Sequence, residues 1–182
     1  AALRESQQQQ TLESELGKHR TSFNLIESCR FQFSSIEQAK SLSAFIANCF
    51  PNPKRALAGI GELLINAVEH GTLGVGYEAK TTLIDNGTWQ QEILKRQSLP
   101  ENANKYVTAI IAKKDDGVYV SIEDMGDGFN WQQYLNIDPA RAGDNHGRGI
   151  AQARMTSFDK LTFNDKGNKV VAFMGTNTGL DW

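Results

Sequence analysis

The spacing of apolar residues divides the chain into a polar N-terminal segment and a longer globular part. Within residues 1–20, the large apolar side chains are Leu3, Leu12 and Leu16, separated by good helix formers. This pattern predicts an exposed helix over residues 1–21. We interpret it as the end of a connector from an upstream domain, with a disordered tail as the alternative.

The globular part is expected to span residues 22–182, and it begins with a strand and a helix. Residues 25–33 are rich in β-forming residues, which predicts a strand. Ser34 or Ser35 is expected to cap the helix that follows, in which apolar residues recur at helical spacing as far as Cys49.

A second helix is predicted from the Pro-Asn-Pro segment at residues 51–53 to about His70. Asn52 is expected to be its N-cap, and proline suits the first helical position. Its apolar residues, including Leu57, predict a buried stripe. Gly71 is expected to end the helix as a left-handed C-cap.

Residues 72–105 are expected to form a helical insertion, because a structureless loop of this length is uncommon in a compact domain. One short helix is predicted at about residues 77–85. A second is predicted from Thr88, whose side chain would form a capping box with Gln91, to about Gln97.

The remainder alternates hairpins with a polar stretch and a helix. Residues 107–112 and 118–123 predict one hairpin, and residues 160–163 and 170–174 predict another. Between them lie a glycine-containing stretch at 124–149 and a helix at about 150–158. The element order predicts an α+β fold, a two-layer α/β sandwich with helices on one face of a mostly antiparallel sheet.

Composition narrows the classes of protein that fit this pattern. The chain has 182 residues, 40% of them hydrophobic, which suits a globular domain. The formal net charge of -2 argues against a protein that binds nucleic acid through its phosphates. No apolar run is long enough to span a membrane and no signal peptide is recognisable, so we expect a cytoplasmic protein without a membrane partner.

The first candidate motif covers residues 62–71, Glu-Leu-Leu-Ile-Asn-Ala-Val-Glu-His-Gly. Glu62 and Asn66 are four residues apart and therefore share one helical face, with Glu69 about one turn further on. A carboxylate can deprotonate a nucleophile, and an amide oxygen suits a hard cation such as Mg²⁺. The alternative is a solvated polar face followed by an ordinary glycine cap.

The second motif is residues 124–129, Asp-Met-Gly-Asp-Gly-Phe, directly after a strand. Asp124 at a strand end can accept a hydrogen bond from an exocyclic amine. Gly126 and Gly128 would let the backbone approach a ligand closely. The alternative is an Asx turn that ends the strand.

The third motif is residues 146–150, His-Gly-Arg-Gly-Ile, at the start of a predicted helix. Backbone amides beside glycines can bind an anion there, and Arg148 could add charge to phosphate binding. The alternative is a flexible loop that enters a helix.

Taken in order, the three motifs resemble the N, G1 and G2 boxes of the GHKL ATPases. The Asn-Ala-Val-Glu-His-Gly segment is most similar to that of bacterial anti-sigma factor serine kinases. The resemblance covers residues 22–175, and its insertion and glycine loop resemble a subgroup often fused behind a response-regulator receiver domain. It implies the Bergerat fold, ATP and Mg²⁺ as cofactors, and such a receiver upstream.

The resemblance also implies roles for individual residues. Asn66 would coordinate Mg²⁺ that bridges the ATP phosphates, and Glu62 would be the general base. Asp124 would bind the adenine amine, while Gly126 and Gly128 would shape the adenine pocket.

Further residues would form a lid over the phosphates by the same resemblance. Gly147 and Gly149 would close it, and Arg148 stands where the family usually has another residue, which changes the expected phosphate contacts. The family often has a threonine in the last hairpin to assist the adenine-binding carboxylate, and Asn168 lies near that position here.

The function implied is an ATP-dependent serine/threonine protein kinase that acts on a small STAS-type anti-sigma-factor antagonist. A homodimer and contact with a sigma factor are also implied. One alternative is a nucleotide-regulated module that sequesters a sigma factor or antagonist without turnover. A further alternative is a histidine-kinase catalytic domain, for which His19 would be the only histidine before Asn66.

Overall fold

The computed structural model describes residues 22–135 and 149–176. These residues form an α+β fold, as predicted, with one five-stranded sheet and a layer of helices. The predicted linker helix at residues 1–21, and Gly147 and Arg148 of the third motif, lie outside the described residues. None of the helices in the described ranges is long and apolar enough to cross a membrane.

The sheet is antiparallel throughout, with the strand order β1-β2-β3-β5-β4. Its strands are β1 (Ser28–Phe33), β2 (Val107–Lys114), β3 (Gly117–Glu123), β4 (Lys160–Phe163) and β5 (Lys169–Gly175). Both predicted hairpins are therefore present. The first strand is shorter than predicted, because the chain adopts a helical turn and a bend before residue 28.

One face of the sheet is buried and the other is open. On β2, Val107, Ala109 and Ile111 are fully buried, whereas Ile110 between them is 39% exposed. This alternation is typical of an antiparallel sheet that is covered on one side. The buried residues belong to one core cluster with Ile60 of the second long helix, so the helices cover this face.

Within the described ranges, the helices that follow β1 are α1 (Ile36–Asn48), α2 (Pro53–Asn66), α3 (Tyr77–Asp85), α4 (Trp89–Gln97) and α5 (Gly149–Gln152). A π-helical turn, Ala67–Thr72, continues α2, and another, Ala153–Ser157, continues α5. Short 3₁₀ turns lie at Pro100–Asn102 and Trp131–Tyr134. The two predicted helices of the insertion are thus confirmed as α3 and α4.

The N-termini of the two long helices have the predicted caps. Ser35 accepts a hydrogen bond from the Gln38 amide, and the Gln38 side chain completes a capping box. Asn52 accepts from the Arg55 amide, and Pro53 occupies the first turn of α2. These side chains satisfy backbone donors that the helices leave unpaired, which fixes where each helix begins.

Three local predictions are wrong. Gly71 does not end α2, since the chain continues as a π-helical turn to Thr72, and it is the next glycine along the chain, Gly74, that has a left-handed conformation, with φ of 64°. Thr88 precedes α4 without capping it, because its hydroxyl donates to the Leu83 carbonyl instead. Leu57 lies on the outer side of α2 and is 45% exposed.

Close contact between α2 and the second π-helical turn completes the layer. A Cβ atom on Gly59 would lie 2.5 Å from the Cβ of Ser157, so only glycine permits this approach. Arg55 and Asp159 form an ion pair of 2.7 Å near the same contact. The approach places α5 beside the part of α2 that contains Glu62.

Candidate functional site

A cavity of about 440 Å³ lies between the end of α2, the end of β3 and the turn that joins β4 to β5. Its volume is in the range of small-molecule sites in proteins. The predicted site residues that line it are Asn66, Asp124, Gly126 and Gly128. The chain therefore brings the first and second motifs together at one cavity.

Asn66 is the last residue of α2 and is partly buried. Asn66 lines the cavity, and its side chain takes part in none of the hydrogen bonds among the described residues. The structure describes no group of three or more His, Cys, Asp or Glu side chains that could hold a metal ion. Any Mg²⁺ at Asn66 would therefore need further oxygen ligands from a bound anion and from water, as is usual for Mg²⁺.

The π-helical turn after Asn66 brings consecutive side chains to different sides of the cavity wall. Glu69 points into the protein and is fully buried, whereas His70 and Gly71 line the cavity. A Cβ atom on Gly71 would collide with the carboxyl group of Asp124. The glycine at this position thus serves the close approach of a neighbouring carboxylate and is not a left-handed C-cap.

Asp124 follows β3 and is held by the neighbouring hairpin. Its backbone amide donates to the Asn168 carbonyl at 3.0 Å, and the Asn168 side chain donates to the Asp124 carbonyl at 3.0 Å. Asn168 therefore lies where the sequence indicated, but it contacts the main chain of Asp124 and not the carboxylate.

The Asp124 carboxylate is only half satisfied. Its Oδ1 atom accepts from the Gly126 amide at 2.8 Å, which is the Asx turn that the sequence offered as an alternative. Burial raises the pKa of this carboxyl group to about 6, while the Gly126 hydrogen bond acts in the opposite direction. The second oxygen accepts no hydrogen bond from a described residue, so it is available to a donor on a ligand.

Glycine is required at the two positions of the second motif for different steric reasons. A Cβ atom on Gly126 would collide with the Gly71 carbonyl oxygen. Gly128 has φ of 79°, and a Cβ atom there would collide with the Lys166 carbonyl. Both positions therefore let the turn pack tightly against its neighbours beside the cavity.

An aromatic column, which the sequence did not predict, forms another part of the wall. His70 stacks on Tyr77 with 3.9 Å between ring centroids, and Tyr77 stacks on Tyr134 at 4.5 Å. Burial raises the pKa of Tyr77, so its hydroxyl stays neutral. The sequence contained one indication, which is that Tyr77 begins the first helix of the insertion, directly after a glycine-rich stretch.

His70 adds a polar atom to this column. Its Nδ1 atom donates to the Val75 carbonyl, and burial lowers the pKa of the ring below its usual range. The ring is therefore neutral, and its Nε2 atom is an acceptor. That atom is buried without a hydrogen-bond partner among the described residues.

Glu62 lies one helical turn before Asn66 on α2 but does not line the main cavity. It is exposed and lines a separate groove of about 350 Å³ formed by α1, α2 and α5. Gly149 lines the same groove, and a Cβ atom on Gly149 would collide with the Glu62 carboxylate. The structure therefore places Glu62 beside Gly149 of the third motif, and Asn66 with Asp124 of the second.

Chemically, the main cavity offers the Asp124 carboxylate with one oxygen bonded, the Asn66 amide without a partner among the described residues, and a mixed apolar and aromatic wall. Phe129, Phe163 and Ile122 contribute to that wall, and Lys105 adds a cation that the sequence did not single out. Such a set suits a flat heterocycle with an exocyclic amine at Asp124. No protein-family model matches this sequence, and no curated protein matches it at a significant level.

Proposed function

We propose that the main cavity binds ATP together with Mg²⁺, and that the α+β fold is of the Bergerat type. The observation that carries this proposal is the convergence of Asn66, Asp124, Gly126 and Gly128 on one cavity from two distant segments of the chain. The order of the three motifs along the sequence supports it further.

The residues at the cavity fit this cofactor. Asp124 would accept a hydrogen bond from the adenine amine through its free oxygen, since its other oxygen is held by the Gly126 amide. Asn66 would contribute an amide oxygen to Mg²⁺, whose remaining ligands would be phosphate oxygens and water. Bound Mg-ATP would supply the phosphoryl group and the cation that neutralises its charge.

The activity that we propose is a serine/threonine protein kinase acting on a STAS-type anti-sigma-factor antagonist. In this assignment Glu62 accepts the proton of the attacking hydroxyl. Its exposed carboxylate lies in a groove open to solvent, where the side chain of a protein substrate can reach it. Positioning and charge stabilisation supply most of the catalysis in phosphoryl transfer, so few protein groups are required.

Calorimetric titration of Mg-ATP into the protein tests the binding site. We expect binding by the wild type and its loss in Asp124→Ala. Asp115→Ala is the matched control, because Asp115 is an exposed aspartate in the turn between β2 and β3. Equal binding by wild type and Asp124→Ala would overturn the assignment of Asp124.

Transfer of labelled phosphate from ATP to a purified STAS-type antagonist tests the activity. Glu62→Gln should abolish transfer while Mg-ATP still binds. Glu37→Gln, at an exposed glutamate in the first turn of α1, should leave both unchanged. Undiminished transfer by Glu62→Gln would show that Glu62 is not the general base.

One observation favours a second candidate, a nucleotide-regulated binding module without turnover. Glu62 lines the groove and is not among the residues that line the main cavity. A stable complex with the antagonist or with a sigma factor, dependent on Mg-ATP and free of phosphate on the partner, would support this candidate. Phosphate on the partner would exclude it.

A further inference from the structure

The helical hairpin formed by α3 and α4 is joined to the rest of the protein with little apolar burial. No residue of α3 is fully buried, and in α4 only Ile93 is. The half-buried Leu83 and Trp89 also pack against the core, so apolar and polar contacts together hold the hairpin in place.

The principal polar contact is the carboxylate of Glu69. Its Oε1 atom accepts from the Trp89 indole at 2.5 Å, and its Oε2 atom accepts from the Lys80 ammonium at 2.5 Å. Lys80 is on α3 and Trp89 is on α4, so both helices meet one carboxylate. Glu69 is fully buried, and a buried carboxylate needs such donors to remain charged.

A second contact leads to the same segment of chain. Arg96 on α4 donates to the carbonyls of Leu73 at 3.0 Å and Gly74 at 2.8 Å. Glu69, Leu73 and Gly74 all belong to residues 67–76, the segment that follows Asn66. The polar contacts of the hairpin are therefore made to the wall of the cavity.

Residues 67–76 connect these contacts to the cavity itself. His70, Gly71, Val75 and Gly76 line it, and His70 stacks on Tyr77 at the first residue of α3. Lys80, Trp89 and Glu69 do not line it. A displacement of the hairpin would consequently move the wall although the donors themselves touch no ligand.

We infer that Lys80 and Trp89 are positioning residues that hold the cavity wall in its ligand-binding arrangement through Glu69. The inference rests on the proposed Mg-ATP site. Because coupling between two sites is reciprocal, occupancy of the cavity also stabilises the position of the hairpin. A partner that binds the outer face of α3 and α4 more tightly in one hairpin position than in another would accordingly change the affinity for nucleotide.

The test compares Lys80→Met with Lys95→Met, the same substitution at an exposed lysine of the same hairpin. A double variant, Glu69→Gln with Lys80→Met, removes both charges and keeps an acceptor for Trp89, so it serves if the single variant does not fold. Mg-ATP affinity is measured by calorimetry on folded protein. Hydrogen exchange of residues 67–76 is measured without nucleotide.

We expect Lys80→Met to weaken Mg-ATP binding by roughly tenfold and to accelerate exchange in residues 67–76. Lys95→Met should change neither, and Lys80→Arg should restore most of the affinity. Wild-type affinity in folded Lys80→Met or in the double variant would overturn the inference and leave the proposed function intact. Failure of the wild type to bind Mg-ATP would overturn the proposed function, and the inference with it.

Discussion

Two of the segments that form the cavity walls, the π-helical turn after α2 and the turn after β3, each contain a carboxylate withdrawn from water. Glu69 on the first wall has both oxygens occupied, by Lys80 and by Trp89. Asp124 on the second has one oxygen bonded to the Gly126 amide, and burial raises its pKa to about 6.

The two carboxylates differ in how many of their oxygens accept hydrogen bonds, and this difference separates a structural role from a binding role. A buried carboxylate with complete hydrogen bonding contributes to the fold, and removal of a partner leaves an uncompensated charge. One with an unpaired oxygen stabilises the folded state less, but it keeps an acceptor ready for a ligand. Glu69 fits the first description, and Asp124 fits the second.

The largest effect on stability is expected when Glu69 loses the cation with which it is paired. Lys80→Met should lower the free energy of unfolding by about 3–5 kcal/mol, since it leaves the fully buried Glu69 carboxyl group without its cationic partner. Arg55→Met is the control, because the Arg55–Asp159 pair is partly exposed and should contribute no more than about 1 kcal/mol. Denaturant unfolding at pH 7 measures both, and equal losses would contradict the comparison.

A smaller effect is expected where the two walls meet, at Gly71. Gly71→Ala should cost about 1–3 kcal/mol, because the added Cβ would displace the Asp124 carboxyl group. Gly61→Ala, within α2, meets its nearest neighbour at an ordinary 3.7 Å and should stabilise the protein by up to about 1 kcal/mol. Thermal unfolding should show shifts of opposite sign, and stabilisation by both variants would contradict the close approach.

Replacement of the Asp124 carboxylate by a neutral amide should stabilise the fold and abolish ligand binding. Asp124→Asn keeps an acceptor for the Gly126 amide and removes a partly buried charge. After allowance for solvent screening, we expect a gain of roughly 1–2 kcal/mol at pH 7. Loss of Mg-ATP binding should accompany it.

The pH dependence of that gain has a definite sign. The folded-state pKa of Asp124, about 6, lies above the ordinary aspartate pKa of 3.8 that it has when exposed to water. Ionisation therefore opposes folding above pH 6, and the penalty disappears as pH falls from 6 towards 4. Denaturant unfolding at pH 7, 5 and 4 should show the advantage of Asp124→Asn shrinking, whereas a constant advantage would refute the raised pKa.

The smallest effect on stability is expected at two helix N-termini, of which one has a side-chain cap and the other does not. Ser35→Ala should cost about 1 kcal/mol, because Ser35 bonds the Gln38 amide of α1. Thr88→Ala should cost at most a few tenths, because the Thr88 hydroxyl caps no amide of α4 and makes a long contact of 3.4 Å with the Leu83 carbonyl. Thermal unfolding of the two variants side by side measures the difference.

Much of the fold follows from the sequence, because its determinants are local. Proline at the start of α2, serine and asparagine caps, and alternating apolar residues in the strands act within a few residues of one another. The bounds of α1, α3, α4 and both hairpins were accordingly predicted to within a few residues. Thr88 and Leu57 were misassigned because a neighbouring carbonyl and the orientation of α2 outweighed the local pattern.

The motifs identified Asn66, Asp124, Gly126 and Gly128 as site candidates, but only tertiary structure decided that they share a cavity and that Glu62 lines a different groove. The steric requirement for glycine at position 71 could not be predicted from the sequence either, since Asp124, which it contacts, lies far along the chain.

The contacts of Glu69 with Lys80 and Trp89 depended in the same way on how the insertion folds back. A sequence specifies what each residue can do within its own helix, strand or turn. Which distant groups come close enough to exclude water, shift a pKa or require a glycine is determined only when those elements pack together.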